Sequence, residues 1–451
     1  MLDFVLKNGL VIDPANLIQA KLNIGIQGSR IACVTKDEIN GSREIDCTDR
    51  VITPGFVDCH AHEDALGPDG KIKTCITERL LCQGITTFIG GQCGIGPDCL
   101  EKYSELYDQK EPINLAMLSA HGVLRQRVGA NDKYAPVAEE QLQAMCMLLD
   151  WDLSQGAYGV SFGVRYVPGT TRHELIELAK VCKKYDGVLA VHVRDDCERA
   201  IAAFQEIIDV ATETAVRVQM SHLGSMAAFG QMKELLIMLD SAVANGLDIR
   251  SDCYPYTAFC TAIGQTTYDG DFLTRYMCDI SQIEITEGPQ RGPITSMEEF
   301  QQIRAAHPEY LTIAHVMKPE EVDMALLHPR TMLGSDGILN NGAGHPRAAG
   351  AFPRFIREYV YERQLISLYD AVGKMTCQPA ARFRLNKGTL RPGADADIVI
   401  FNPLEITDRA TFAEPQLPAA GIDYVFVNGQ IAMQQSKITK DTLGKYLRRV
   451  Y

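Results

Sequence analysis

The chain has 451 residues, 46% hydrophobic and 22% charged, with a formal net charge of -13 and a pI near 5.3. These values exclude a disordered, fibrous or miniature protein and argue against a nucleic-acid or anionic-membrane surface, leaving room for one large domain plus a smaller one. Fourteen cysteines run from Cys33 to Cys377 without a compact framework, and the opening MLDFVLKNGL lacks a cationic leader region, so a reduced, cytoplasmic setting is expected. No apolar run approaches membrane-span length, and no solenoid-type repeat is found.

The first fifty residues alternate short β-prone runs with turns: FVLKNGLVID, then KLNIGIQGSRIACV. Asn8-Gly9 and Gly28-Ser29 suit hairpin connections. A matching composition returns in GTLRPGADADIVIFNP and GIDYVFVNGQIAM, with Asn428-Gly429 as another hairpin signal. The two ends, residues 1–52 and 386–451, are expected to build one β-sandwich together.

Between them, residues 53–385 alternate apolar β-rich runs with longer helical patterns. The runs are ITPGFVDCHAH, GITTFIG, INLAMLSAHG, GAYGVSFGV, GVLAVHVRD, VRVQMSHLG, LDIRSDCYPY and TMLGSDG, separated by segments such as HELIELAKVCKKY and MKELLIMLDSAVANG. Eight strand candidates in βα rhythm predict an α/β fold, a (β/α)8 TIM-like barrel with a small terminal β-domain. Residues 279–310, rich in Gly, Pro and charge, break the rhythm and read as a lid-like excursion over the barrel mouth.

The polar residues follow their strands, at the end where such barrels place chemistry. His60 and His62, one residue apart, share a strand face and form a natural divalent-metal clamp, or else two polar residues on a solvated face. His121, His192 and His222 also end apolar β-like runs. One alone would read as a satisfied core or surface histidine, whereas five converge on one rim. Asp336 in TMLGSDG is a turn or cap residue by its local context. It is also the best-placed carboxylate to bind a cation and shuttle a proton between nucleophilic water and a leaving amine. Cys93, in the glycine-rich FIGGQCGIG, is an inert small hydrophobe if isolated and a soft zinc ligand beside the histidines.

Taken in order, GFVDCHAHED, GGQCGIGP, GAYGVSFGVRYVPG, AVHVRDD, MSHLG, DCYPYTA, GSDG and HPRAAGAFPRFIREYV resemble the D-aminoacylase (N-acyl-D-amino-acid deacylase) branch of the amidohydrolase superfamily across nearly the whole chain. The resemblance implies that Cys93, His192 and His222 hold one tight zinc, and that His60, His62 and Asp336 hold a second metal position. It implies amide hydrolysis by metal-activated water with Asp336 as general base and acid, and His121 as a weaker supporting contact to the oxyanion. It points to Arg347 and Tyr254 for the carboxylate of a small N-acyl amino acid. Neither nucleic acid nor membrane is expected as a partner, and homo-oligomerisation stays open. The chain departs from the branch at Gly224, where a lysine is usual, and at AFCTA with Cys260, where a serine or a glycine-serine pair usually follows YPY. Its 279–310 stretch is also shorter than the usual insertion.

Two other readings stand beside this one. A cyclic-amide hydrolase acting on hydantoin- or dihydropyrimidine-like rings is suggested by Gly224. The other is a catalytically silent barrel whose rim binds a ligand or holds structural zinc; a closed four-ligand zinc site has no room for water, whereas a catalytic one keeps a position open.

Overall fold

The structure, a computed structural model, describes residues 1–450. Both chain ends contribute to one nine-stranded sheet. Leu2–Asp13 pairs antiparallel with Ile18–Gln27, which turns at Gly28-Ser29 into Arg30–Thr35. On its other edge Leu2–Asp13 runs parallel first to Gly41–Asp46 and then to Val51–Pro54. Val51–Pro54 in turn pairs antiparallel with Ile398–Phe401, and Ile422–Val427 and Gln430–Gln434 extend the sheet through the Asn428-Gly429 hairpin. Leu6, Ile24, Ile52, Ile398 and Phe426 belong to the apolar core of this unit.

Asn8-Gly9 does not form the expected hairpin. It lies inside Leu2–Asp13, where the register shifts between Leu6 and Gly9 as the strand changes partners. Asn8 takes φ 66, and its N–H donates to Asn23 Oδ1 at 3.0 Å instead of to a ladder. A Cβ on Gly9 would sit 2.4 Å from Ile52 Cδ1, so the glycine here serves a close approach.

Eight parallel strands follow: Phe56–Asp58, Ile85–Gly90, Asn114–Met117 with its continuation Ser119–Ala120, Gly159–Gly163, Val188–His192, Arg217–Met220, Ile249–Cys253 and Thr331–Leu333. Each pairs in parallel with the next, the third strand linking two sheets across Leu118. Almost every residue in them is buried, as expected of strands covered on both faces. Connecting helices include Arg172–Lys184, closed by a Thr171/Glu174 capping box, and Met232–Ala244.

The stretch expected as an excursion, 279–310, is part of a larger insertion. Phe259–Ala262, Leu311–Ala314, Ile283–Ile285 and Gly292–Pro293 form a four-stranded sheet, and Met297–Ala306 is a helix within it. The terminal segment, assigned from sequence to the small β-domain, also reaches the parallel series: Tyr446–Leu447 pairs in parallel with Leu115–Ala116. Among the described residues, no helix is long and apolar enough to cross a membrane.

Just before Asn114–Met117, the Glu111 carbonyl accepts the Gly444 N–H at 2.7 Å, and the Glu111 carboxyl accepts the hydroxyls of Thr74 and Thr77 at 2.7 and 2.9 Å. Burial pushes Glu111 up from 4.5 to about 7. The folded state therefore holds a proton there that the unfolded chain has already released. The stability this group contributes is present at low pH and is lost as pH rises from about 4.5 to about 7. Glu111→Gln should flatten that slope and stabilise the protein at pH 8 by on the order of 2 kcal/mol. Chemical denaturation of both proteins between pH 5 and pH 8 checks this, and parallel pH profiles would refute it.

Candidate metal centre

Cys93 stands in a turn that the sequence shapes tightly. Gly91-Gln92-Cys93-Gly94 follows the second parallel strand, with Cys93 itself at φ 55 and ψ 27. A Cβ on Gly163 would lie 2.1 Å from the Cys93 carbonyl oxygen, and one on Gly122 would lie 2.6 Å from that of Gly94. Two side-chain-free positions on neighbouring strand ends thus let the turn press inward and aim the thiol at the histidines.

Cys93 Sγ is 3.4 Å from His60 Nε2 and 3.4 Å from His222 Nε2. The donor atoms of His60, His62 and Cys93 all lie within 4.8 Å of one another, as do those of Cys93, His192 and His222. The two groups share the thiol. Asp336 Oδ1 adjoins the first group, 3.3 Å from His62 Nε2 and 3.5 Å from His60 Nε2.

Burial opposes a thiolate at Cys93, but the adjacent His60 and His222 and a bond from His192 outweigh it and hold the thiol well below its ordinary range. His192 is driven down by burial and by His222, which leaves it neutral and able to donate a lone pair. His60 and His62 are raised, His62 to about 9, because Asp252 beside His60, Asp336 beside His62 and the Cys93 thiolate beside both overcome burial. A thiolate among buried imidazoles, with His192 Nδ1 buried and making no hydrogen bond, is a donor set that fits a soft divalent cation such as zinc. Binding would displace the imidazole protons.

Outer groups fix these donors. Asp252 Oδ1 lies 3.2 Å from His60 Nδ1 and accepts the His222 N–H at 2.8 Å, while its Oδ2 accepts Gln219 Nε2 at 2.7 Å. Ser225 Oγ is 2.9 Å from His222 Nδ1. Asp58 Oδ1 accepts the N–H groups of His60 and Ser335 at 3.1 and 3.0 Å. The sequence reading missed all three. Ser225 had a signal in its three-residue helical spacing from His222, and Asp252 in its position closing the seventh apolar run.

Arg347 is 1% exposed and stacks 4.5 Å over the Tyr254 ring, with Nη2 2.9 Å from Asp336 Oδ2. Its Nε and Nη1 have no hydrogen-bond partner. His345, also missed, accepts the Arg347 N–H at Nδ1 (3.0 Å) and donates from Nε2 to the Ala258 carbonyl (3.1 Å). Burial favours a neutral Asp336, but Arg347, His62 and His60 hold it well below the ordinary carboxylate range. Tyr254 is buried, its hydroxyl directed at Met317 Sδ at 4.0 Å.

His121 stands apart from this arrangement. Its Nε2 meets Glu174 Oε1 at 2.7 Å, Arg125 holds the same carboxylate at 3.0 Å, and its ring stacks 4.4 Å from Phe162. It belongs to neither donor group, so the expected contact with an oxyanion finds no support in its position.

Over the donors lies a cavity of about 30 Å³ whose lining includes Tyr166, His192, His222 and Asp336 together with Met226, Phe259 and Cys260. At Gly224 a Cβ would come within 2.7 Å of Met317 Cε and 3.1 Å of Cys253 Sγ, so Met317 fills the space a side chain would need.

Residues 108–433 match the family model described as the amidohydrolase family. The chain is 30% identical to D-aminoacylase of Alcaligenes xylosoxydans xylosoxydans, over 99% of this chain and 98% of that protein. It superposes with a TM-score of 0.88 and 29% identity, over the full length of both chains, on a D-aminoacylase structure concerned with its binuclear metal centre, one-metal activation and second-metal attenuation. Against N-acyl-D-glutamate deacylase from Bordetella bronchiseptica, in complex with zinc and a phosphonate mimic of the tetrahedral intermediate, the TM-score is 0.86 at 28% identity over 99% of each chain.

Replacing the shared donor should cost more metal than loosening its support. Asp252→Asn should weaken divalent-metal affinity by roughly 10–100-fold, the range for outer-shell partners, and Cys93→Ala by more. Competition titration against a chromogenic chelator measures both, and equal affinities in Cys93→Ala and the parent would remove the thiol from the site.

Proposed function

The chain belongs to the amidohydrolase family, and on that premise we propose that it is a zinc-dependent deacylase that hydrolyses N-acyl-D-amino acids to a carboxylate and a free D-amino acid. The observation that carries this reading is the shared thiol, with Cys93 Sγ 3.4 Å from a histidine of each donor group. Cys93, His192 and His222 would hold one zinc tightly; His60, His62 and Asp336, with the same thiol, would hold a second. When bound, zinc polarises an amide carbonyl and activates water as a nucleophile at neutral pH.

The chain's own groups do the rest. Asp336 takes the proton from the attacking water and delivers it to the amide nitrogen as the C–N bond breaks, so water and amide become acid and amine. Arg347 steadies Asp336 through Nη2 and keeps Nε and Nη1 unpartnered, either of which offers a charge-assisted hydrogen bond to the substrate carboxylate. Tyr254 supports the guanidinium from beneath with its ring face. His121 has no step in this scheme; with Glu174 and Arg125 it braces the ends of the third and fourth strands.

The eight parallel strands are read as a closed (β/α)8 barrel. Support comes from the junction of the first and last strands: a parallel bridge between Ala61 and Gly337, the His62 N–H donating to Gly337 O at 3.0 Å, and the Asp336 N–H donating to His60 O at 2.7 Å. In this division, residues 53–385 form the hydrolase barrel, and both chain ends form the small β-domain. The cavity holds about 30 Å³, enough for water and too little for an acyl amino acid, so we assign the lid role to the insertion that carries Phe259 and Cys260. Fourteen free thiols suit a reducing compartment such as the cytoplasm.

A panel of N-acetyl, N-formyl and N-succinyl D- and L-amino acids, with hydantoin and dihydrouracil as ring controls, tests the assignment on zinc-loaded protein. Turnover of the linear D-substrates is expected, and ring-opening alone would overturn it. Asp336→Asn should keep the Cys93/His192/His222 zinc and lower kcat by roughly 10²–10⁴-fold. Undiminished turnover in that variant would remove Asp336 from the proton path.

A further inference from the structure

A second cavity, of about 360 Å³, opens at the opposite end of the parallel strands, with Arg217, Asp248, Arg250, Pro329, Met332 and Arg382 among its lining. Arg217 begins the strand Arg217–Met220 that leads to His222, and Arg250 lies near the start of Ile249–Cys253, the strand that carries Asp252. The cavity is therefore separated from the metal centre by the length of a strand. Its volume falls in the range of small-molecule sites, about 300–1,000 Å³.

Three guanidinium groups face one lining carboxylate. Asp248 Oδ1 pairs with Arg382 Nη1 at 2.5 Å, and its Oδ2 lies 3.4 Å from Arg217 Nε. Asp186, the other acid near Arg217 at 3.4 Å, is shared with Arg384 and Arg449. Arg250 is exposed and has no acidic partner among the described residues. Arg382 is 5% exposed, and its Nε makes no hydrogen bond. Burial pushes its guanidinium down to about 10; Asp248 pulls it back, and Arg217 and Arg250 add to the push. In a chain of net charge -13, this is a local surplus of positive charge that a counter-anion would relieve.

We propose that this cavity is a binding site, distinct from the metal centre, for a small organic oxyanion whose phosphate or carboxylate pairs with Arg217 and Arg250 and whose apolar part rests on Pro329 and Met332. Arginine forks fit either anion through two parallel hydrogen bonds, and Pro329, Met332 and Ala381 supply apolar lining beside them, with Gln378.

Calorimetric titration of the full, metal-loaded chain with inorganic phosphate and with citrate, at ionic strength fixed with chloride, tests the site. Saturable binding of at least one probe is expected, and the tighter of the two tells phosphate from carboxylate recognition. Arg250→Ala should weaken it at least tenfold, and Arg217→Gln combined with Arg250→Ala should abolish it. Amide hydrolysis and thermal melting of Arg250→Ala should match the parent. Binding that survives both arginine changes and disappears with a chelator would place the anion on the metal and overturn the proposal. So would the absence of saturable binding above chloride.

Discussion

The junction between the first and last parallel strands governs the rest of the centre. Asp58, wholly buried, accepts the backbone N–H groups of His60 and Ser335, and the Asp336 N–H donates to the His60 carbonyl. A carboxylate removed from water needs such donors, and here both come from the segments that carry functional side chains. The same few bonds thus set the spacing of His60, His62 and Asp336. Asp336 takes a left-handed backbone at φ 49, a conformation held only where surrounding contacts over-determine it. After the neighbouring strand, the Cys93 turn answers the same need with bare backbone contacts at Gly122 and Gly163.

Much of this was legible in the sequence, for definite reasons. Strands buried on both faces must be continuous apolar runs, so all eight could be picked out one by one. A polar residue closing such a run has few ways to be accommodated except by a neighbour or a ligand, which is why His60, His192, His222 and Asp336 stood out. What stayed hidden depends on partners distant in sequence. His121 ends a strand like the others, yet Glu174, on the helix Arg172–Lys184, takes its Nε2. Asn8-Gly9 has hairpin chemistry, and only the change of neighbour from Gly41–Asp46 to Val51–Pro54 turns it into a bulge. Tyr446–Leu447 is too short to announce itself as a strand and acquires that identity from Leu115–Ala116.

Of the two departures from the resembled branch, at Gly224 and Cys260, only Cys260 lines the cavity over the donors. Met317 occupies the space beside Gly224, and Cys260 and Phe259 enter the wall from a strand of the inserted sheet rather than from the parallel series. In the proposed scheme, metal donors and proton carrier rest on strand ends tied to one another, while Phe259 and Cys260, facing the substrate, rest on an appended element. Chemistry is thereby kept rigid and selectivity left free to diverge.

The terminal sheet carries a consequence for biosynthesis. Val51–Pro54 leaves the ribosome early, yet its antiparallel partner Ile398–Phe401 is translated only after the whole parallel series. At ribosomal elongation rates the nascent chain holds an apolar strand with one edge open for on the order of tens of seconds. The high contact order of this pairing makes it a late event, and the exposed edge is the point at which the growing polypeptide has most need of chaperone cover.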